Sequence, residues 1–299
     1  MPNLPLSRRL LSLLALCLPA LASAQAGSTL DRIKQSGTMT LAYRESSAPF
    51  SYLDDKAQPI GFGYEICQKV ADNVKRATGR ADLKLQYQAV TSANRIPLLQ
   101  NGTIDIECGS TTNNSERGKQ VAFAINYFYT GTRFLVKSGT NVRALPDLAG
   151  KTVVSTTGTT NYQIIRRLNE EQKLGIDLIG AKDHAESALL VESGRAVAFG
   201  MDDILLYGLK ASSKDPASLA VVGEAIQVEP YAIMVRRDDP AFKKLVDDTL
   251  AGMMKSGEFE ALYKKWFQSP IPPKGINLQV PMSKELADNL KALSDKPAI

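Results

Sequence analysis

The chain has 299 residues, 44% of them hydrophobic and 22% charged, with 36 Lys and Arg against 31 Asp and Glu. That is the composition of an ordinary soluble globular protein. The positive surplus is small and Lys and Arg form no long blocks, which argues against nucleic acid or a membrane surface as the main partner.

Arg8 and Arg9 precede an apolar run, Leu10–Leu18, and then the small residues Ala22, Ser23 and Ala24, followed by Gln25, Ala26 and Gly27. This three-part pattern predicts a secretory leader over residues 1–24, with A-x-A cleavage after Ala24 or Ala26. The run is about half the roughly 20 residues that a spanning helix needs. Leu16 stands before Cys17 where a lipid anchor wants a small residue. Loss of Arg8 and Arg9 lowers the net charge by two from +5. The roughly 275 residues that follow exceed the usual size of a single core, so two lobes are expected.

Alternation of strands and helices dominates the rest. Thr38–Tyr43 reads as a strand. Phe62, Ile66, Cys67, Val70, Ala71, Val74 and Ala77 recur at helical spacing up to Gly79. Leu83–Ala89 alternates as a half-buried strand does. A short helix over Ser92–Gln100 and a strand over Thr103–Cys108 follow. This order predicts a largely parallel sheet covered by helices. The plan then repeats: strand Lys151–Ser155, helix Thr160–Gln172, a short strand at Leu178 and Ile179, helix Ala185–Ser193, and strand Ala196–Phe199. The stretches Leu98–Gly109 and Leu189–Gly200 look alike, which suggests two lobes on one α/β plan. Asn126–Val136 and Ile226–Val235 are extended and suited to link them. Residues 25–130 with 231–299 would then form one lobe, with 131–230 inserted as the other. Helices Pro240–Lys255 and Glu258–Phe267 return to the first lobe, and a Pro-rich tail wraps its surface.

Cys67 lies on the apolar face of a helix and Cys108 ends an apolar strand. A disulfide and two buried thiols both fit, because geometry decides and spacing does not. The chain has one histidine, His184, and no recognised metal-ligand spacing. No G-x-S-x-G surrounds any serine. The GKT at Gly150–Thr152 lacks the phosphate-loop glycine, since Leu145 occupies its place.

Polar residues gather where strands end and helices begin. In open α/β sheets ligands bind beyond the carboxyl ends of strands. Helix N-termini there suit a carboxylate. Five junctions qualify: Tyr43–Ser47, Thr91–Arg95, Gly109–Asn114 leading to Arg117, Thr156–Thr160, and Gly200–Asp203. Ser, Thr and Asn at such places are most often helix caps, and a junction arginine is most often solvated. The recurrence of Arg44, Arg95 and Arg117 with hydroxyl clusters and one acid favours an anion site instead.

RESSAPFSY (Arg44–Tyr52), TSANRIPLLQNGTIDIECGSTTNNSER (Thr91–Arg117), TGTTNYQ (Thr157–Gln163), LNEEQKLGIDLIGAKDH (Leu168–His184), ESGRAVAFGMDD (Glu192–Asp203), AFKKLVDDT (Ala241–Thr249) and KKWFQSPIPPK (Lys264–Lys274) resemble the glutamate/aspartate-binding periplasmic proteins of ABC importers. The resemblance implies a two-lobed periplasmic-binding-protein fold (type II). Each lobe would be a mostly parallel sheet flanked by helices, with a two-strand hinge between them. It further implies that Arg117 clamps a ligand α-carboxylate, with Thr112 and the helix start at Thr160 adding donors. Asp202, helped by Ser110 and Thr112, would meet the ammonium. Arg44, Ser92, Arg95 and His184 would meet the side-chain carboxylate. Asn161-Tyr162 and Gly200 depart from the family pattern.

A two-carboxylate ligand suits two arginine clusters, because a guanidinium presents a planar fork to a carboxylate. An ammonium needs acceptors. The expected protein is a monomeric periplasmic binder of L-glutamate or L-aspartate that hands its ligand to the permease subunits of an ABC transporter. No cofactor, metal or catalytic residue is expected. An enzyme of the same fold would need Asp202 or His184 as acid or base, and charge matching explains both residues better. A sensor domain would need a signalling segment. A binder of another dicarboxylate would not need an ammonium partner.

Overall fold

A computed structural model describes residues 28–298. The leader pattern, its cleavage position and Cys17 lie outside the described residues. Among the described residues, no helix is long and apolar enough to cross a membrane.

Two sheets define two lobes. The first sheet runs in the order Lys84–Ala89, Thr38–Tyr43, Ile106–Glu107, Met234–Arg236, Val121–Phe123. Thr38–Tyr43 pairs in parallel with both of its neighbours, while Met234–Arg236 runs antiparallel to Ile106–Glu107 and Val121–Phe123. The second sheet runs Asp177–Ala181, Thr152–Thr156, Ala198–Asp202, Phe128–Lys137, Leu219–Val222. Its first two pairings are parallel and those to Phe128–Lys137 antiparallel. Both sheets are thus mixed rather than mostly parallel as expected: the parallel pairs are those that the strand–helix alternation predicts. The antiparallel ones involve strands flanking the two crossings between sheets.

The chain leaves the first sheet after Val121–Phe123, enters the second at Phe128–Lys137, and returns between Leu219–Val222 and Met234–Arg236. Val228–Tyr231 pairs antiparallel with the start of the outgoing strand, Phe128 opposite Tyr231 and Gly131 opposite Val228. Two adjacent strands therefore carry the connection. An aromatic cluster seats their base in the first lobe. Phe50 packs edge-on to Phe128 at 4.9 Å and to Tyr231 at 5.1 Å, and Phe128 stacks on Phe267 at 5.0 Å. Each such pair adds about 0.5–1.5 kcal/mol beyond its buried area.

Helix Phe62–Thr78 buries Phe62, Ile66, Cys67, Val70, Ala71 and Val74 of the predicted stripe, while Ala77 is exposed. It lies against helices Pro240–Ser256 and Glu258–Phe267, which return to this lobe. Cys67 and Cys108 form a disulfide with Cα atoms 5.8 Å apart. The bond ties this helix to the end of the central strand, next to the Gly109–Asn114 turn.

Some elements differ from expectation. The helix predicted from Ser92 begins at Arg95. Thr91 N–H donates to Asn94 Oδ1 at 2.8 Å and Asn94 N–H donates back to Thr91 Oγ1, so Ser92 stays in a turn. The strand predicted over Thr103–Cys108 shrinks to Ile106–Glu107. Asp105 instead accepts from Thr40 N–H and pairs with Arg32. The tail forms a further helix, Lys284–Ala292, capped by Ser283. Asn289 Nδ2 donates to Asn126 O at 2.7 Å, and Asn126 N–H donates to Ser294 O. The tail thus braces the segment that enters the hinge.

Candidate functional site

Four of the five junctions line one small cleft, about 10 Å³ in volume, formed by Ser92, Arg95, Ser110, Thr112, Arg117, Thr159, Thr160, Asn161, His184, Met201 and Asp202. Eight of the nine residues expected from sequence line it. The ninth, Arg44, stands behind the wall at 1% exposure. Its Nη2 donates to Ser92 Oγ at 2.9 Å and to His184 Nε2 at 3.2 Å.

The capping alternative is resolved residue by residue. Asn114, Thr159 and Asp183 are the caps: they accept from the N–H groups of Arg117, Tyr162 and Glu186. Arg117, Thr160 and His184 lie just inside those helix starts and line the cavity instead of capping. Asp202 ends strand Ala198–Asp202 and precedes helix Asp203–Ser212, yet makes no side-chain cap bond. Its Oδ1 accepts from Asn161 Nδ2 at 2.7 Å and its Oδ2 from the Tyr231 hydroxyl at 2.5 Å.

The lobes meet through the site residues themselves. Arg44 reaches His184 from across the cleft. Thr112 Oγ1 lies 3.3 Å from Thr160 Oγ1. Arg117 donates to Thr112 O at 3.0 Å and to Gly158 O at 3.1 Å. Gly158, at φ +79°, is a point of close approach between the lobes: a Cβ there would lie 2.6 Å from Ala93 Cα. Only glycine combines that approach with that backbone.

Three acids balance the three arginines, and sequence reasoning found one of them. Glu107 and Glu229 are both fully buried. Glu107 Oε2 accepts from Thr111 Oγ1 at 2.6 Å, and its Oε1 lies 3.9 Å from Arg95 Nη1. Glu229, on the returning hinge strand, accepts from Thr160 Oγ1 at 2.9 Å. An acid inside an otherwise apolar strand was the available signal, in TIDIECG and in IQVEPY. Thr159 and Met201 fall inside two of the expected junctions without being singled out, Asn161 stands out only as a departure from the family pattern, and Tyr231 is not signalled at all. Nothing in their local sequence separates them from core or cap.

Burial, then repulsion from Arg95, brings the Arg44 guanidinium down to about 9. The same two causes bring Arg117 down to about 10. Burial, then Arg44 and Arg95, hold His184 well below its ordinary value. The bonding pattern agrees. Nε2 faces a guanidinium donor and must accept, so the proton sits on Nδ1 and is given to Thr156 Oγ1 at 2.8 Å. His184 is therefore a neutral residue that accepts from Arg44. Burial, then Glu229, raises Asp202 to about 7, against the pull of its Tyr231 and Asn161 bonds.

Buried donors rarely go without a partner, and an unmet one costs about 1–3 kcal/mol. Arg44 Nη1, Arg95 Nε and Ser110 Oγ have none among the described residues. Two of the three are guanidinium nitrogens. A pocket with cationic donors and one carboxylate facing them suits a small zwitterion carrying extra negative charge. Among the described residues, no group of three or more His, Cys, Asp and Glu is placed to hold a metal ion.

Two α/β lobes joined by two strands, with a polar cleft between, define a solute-binding architecture. The chain matches the bacterial extracellular solute-binding proteins, family 3, over residues 39–269, and it belongs to that family. It is 49% identical over 281 residues to the L-glutamate/L-aspartate-binding protein of Pseudomonas aeruginosa, covering 94% of this chain and 93% of that one. It is also 49% identical over 271 residues to the glutamate/aspartate import solute-binding protein of Salmonella typhimurium, covering 91% and 90%. The crystal structure of a mutant of ArgBP from T. maritima superposes with a TM-score of 0.72 at 25% identity, over 80% of this chain and 99% of that one.

Proposed function

We propose that this protein is the periplasmic substrate-binding component of an ABC importer for L-glutamate and L-aspartate. The observation that carries the reading is the convergence of Arg95 and Arg117, with Arg44 buried behind them, on a cleft whose other side holds Asp202. The names borne by the close relatives support the choice of ligand.

In this reading Arg117, Thr112 and the helix start at Thr160 take the α-carboxylate. Asp202, Ser110 and Thr112 take the ammonium. Arg95 and Ser92, backed by Arg44 and His184, take the side-chain carboxylate. Residues 25–130 with 231–299 form one lobe and 131–230 the other. The ligand binds between them, and the two-strand hinge closes the cleft and excludes water. The closed monomer is what the permease subunits recognise after the leader has directed secretion. The disulfide between Cys67 and Cys108 fits an oxidising compartment.

An enzyme reading has one observation in its favour: Asp202, raised to about 7, has the acidity of a general base at neutral pH. Binding accounts for it equally, since a carboxylate poised near neutrality ionises when an ammonium arrives. Recovery of unchanged glutamate after prolonged incubation separates the two. The main test is a thermal-shift screen of the mature protein against all amino acids. A ligand at 100 times its dissociation constant adds about 2.7 kcal/mol to native stability. Glutamate and aspartate should raise the melting temperature and neutral amino acids should not. A shift confined to neutral or basic amino acids overturns the reading.

A further inference from the structure

Helix Asp203–Ser212 runs out of the cavity directly from Asp202. Its far end meets a different part of the molecule. Lys274 Nζ donates to Ser212 O at 2.8 Å and to Ser213 O at 2.7 Å. These are the last carbonyls of the helix, which have no partner within it. A cation there also opposes the negative end of the helix dipole. Midway, Gly208 packs so closely that a Cβ would lie 2.5 Å from Ala48 O. Gly208 and the two acceptors belong to the inserted lobe, whereas Ala48 and Lys274 belong to the other. Lys274 is fixed there by the short ladder of Pro270–Ile271 with Ile276–Asn277, and by the Tyr52 hydroxyl, which donates to Pro272 O at 2.6 Å. One helix is therefore held at three points: by its ligand-facing acid at one end, by a glycine contact in its middle, and by an ammonium at the other end.

We infer that Lys274 is a positioning residue that latches helix Asp203–Ser212 in the closed state and so sets ligand affinity from outside the ligand cavity. The inference rests on the binding reading above, and on 131–230 being the lobe that moves relative to the rest. Lys274 is exposed and does not line the cavity, so it touches no ligand. Its two bonds cross between lobes and are made only when the lobes meet. Removing them lowers the closed population, and apparent affinity falls by the same fraction for every ligand that needs closure. A contact that forms late on the way to the bound state acts mainly on dissociation.

The test compares wild type, Lys274→Met and Lys274→Arg for glutamate and aspartate. Calorimetry gives affinity, stopped-flow fluorescence gives dissociation, and a thermal melt gives the stability of the ligand-free protein. Lys274→Met should weaken both ligands by one common factor of about tenfold, mostly through faster dissociation. The ligand-free melting temperature should not move. Lys274→Arg should recover most of the affinity. Gly208→Ala, which places a methyl group against Ala48 O, should act in the same direction. Unchanged affinity and dissociation in Lys274→Met, with wild type binding normally, overturn the latch alone. A drop in ligand-free melting temperature that accounts for the whole loss also overturns it, by showing a merely structural role. Failure of wild type to bind either ligand overturns the binding reading, and the latch with it.

Discussion

Arg44 Nη2 donates to His184 Nε2 at 3.2 Å across the cleft, between residues 140 positions apart in sequence. The bond fixes the histidine tautomer, and that fixes a chain of donors behind it. His184 Nδ1–H gives to Thr156 Oγ1, whose own proton goes to Ser187 Oγ at 2.9 Å, and Ser187 ends the chain on Asp183 O at 2.8 Å. Arg44 is thereby held in place by a neutral partner and keeps its charge for the site.

This arrangement predicts opposing pH slopes in the ligand-free protein. His184 is held well below 6.5, so the unfolded chain takes up a proton that the native one refuses. Its contribution to stability is present above pH 6.5 and is lost as pH falls. Asp202 is raised from 3.8 to about 7, so the native state holds a proton across that window. Its contribution is fully present below pH 3.8 and is lost as pH rises through 7. The two oppose each other in the wild type. Asp202→Asn should leave a stability that rises by about 1 kcal/mol per pH unit between roughly pH 5 and 6.5. His184→Gln should leave the reverse slope. Urea denaturation at stepped pH reads both, and identical slopes in the two variants would contradict the assignment.

Glutamate binding should release a proton. An Asp202 carboxyl at about 7 is partly protonated at pH 6.5. A bound ammonium favours its ionised form. Calorimetry at pH 6.5 in buffers of different ionisation enthalpy should show a substantial fraction of a proton released per ligand, and Asp202→Asn should abolish that release. Proton uptake on binding would contradict the ammonium role.

Arg95→Met should cost glutamate about 2–5 kcal/mol of binding energy, since it leaves a buried ligand charge unmatched. Calorimetric affinity within a factor of two of wild type would remove Arg95 from the site.

The disulfide closes a sequence separation of 41 residues. Loop entropy puts its contribution at about 4 kcal/mol. Cys67→Ser with Cys108→Ser should lose about that much in urea denaturation while still binding glutamate at saturation. Full loss of binding by a folded variant would show that the bond shapes the Gly109–Asn114 turn as well as stabilising the fold.

Much of this was legible in the sequence because period and punctuation are local. Thr38–Tyr43, Thr160–Gln172 and Glu258–Phe267 fall where their patterns predict them. Arg95, Arg117, Thr160 and Asp202 were visible because charge and hydroxyls recur at strand ends. What stayed hidden was non-local. Glu107 and Glu229 sit in strands, and only the fold shows that Glu107 lies beside Arg95 and that Glu229 accepts from Thr160. Helix Lys284–Ala292 has a narrow apolar stripe, and the polar Asn289 is one of its two buried residues. The neutrality of His184 depends on which atom of Arg44 meets which nitrogen. No spacing encodes that.

The most direct test of the central claim is a calorimetric titration of the mature protein with glutamate, glutamine and glutarate under one set of conditions. Glutamine keeps the length but removes the side-chain charge that Arg95 and Arg44 are placed to meet. Glutarate keeps both carboxylates but lacks the ammonium for Asp202. Glutamate should bind tightest, with each analogue weaker by about 2 kcal/mol or more. Equal affinity for glutamate and glutamine would contradict an arginine-read carboxylate, and with it the account of the site.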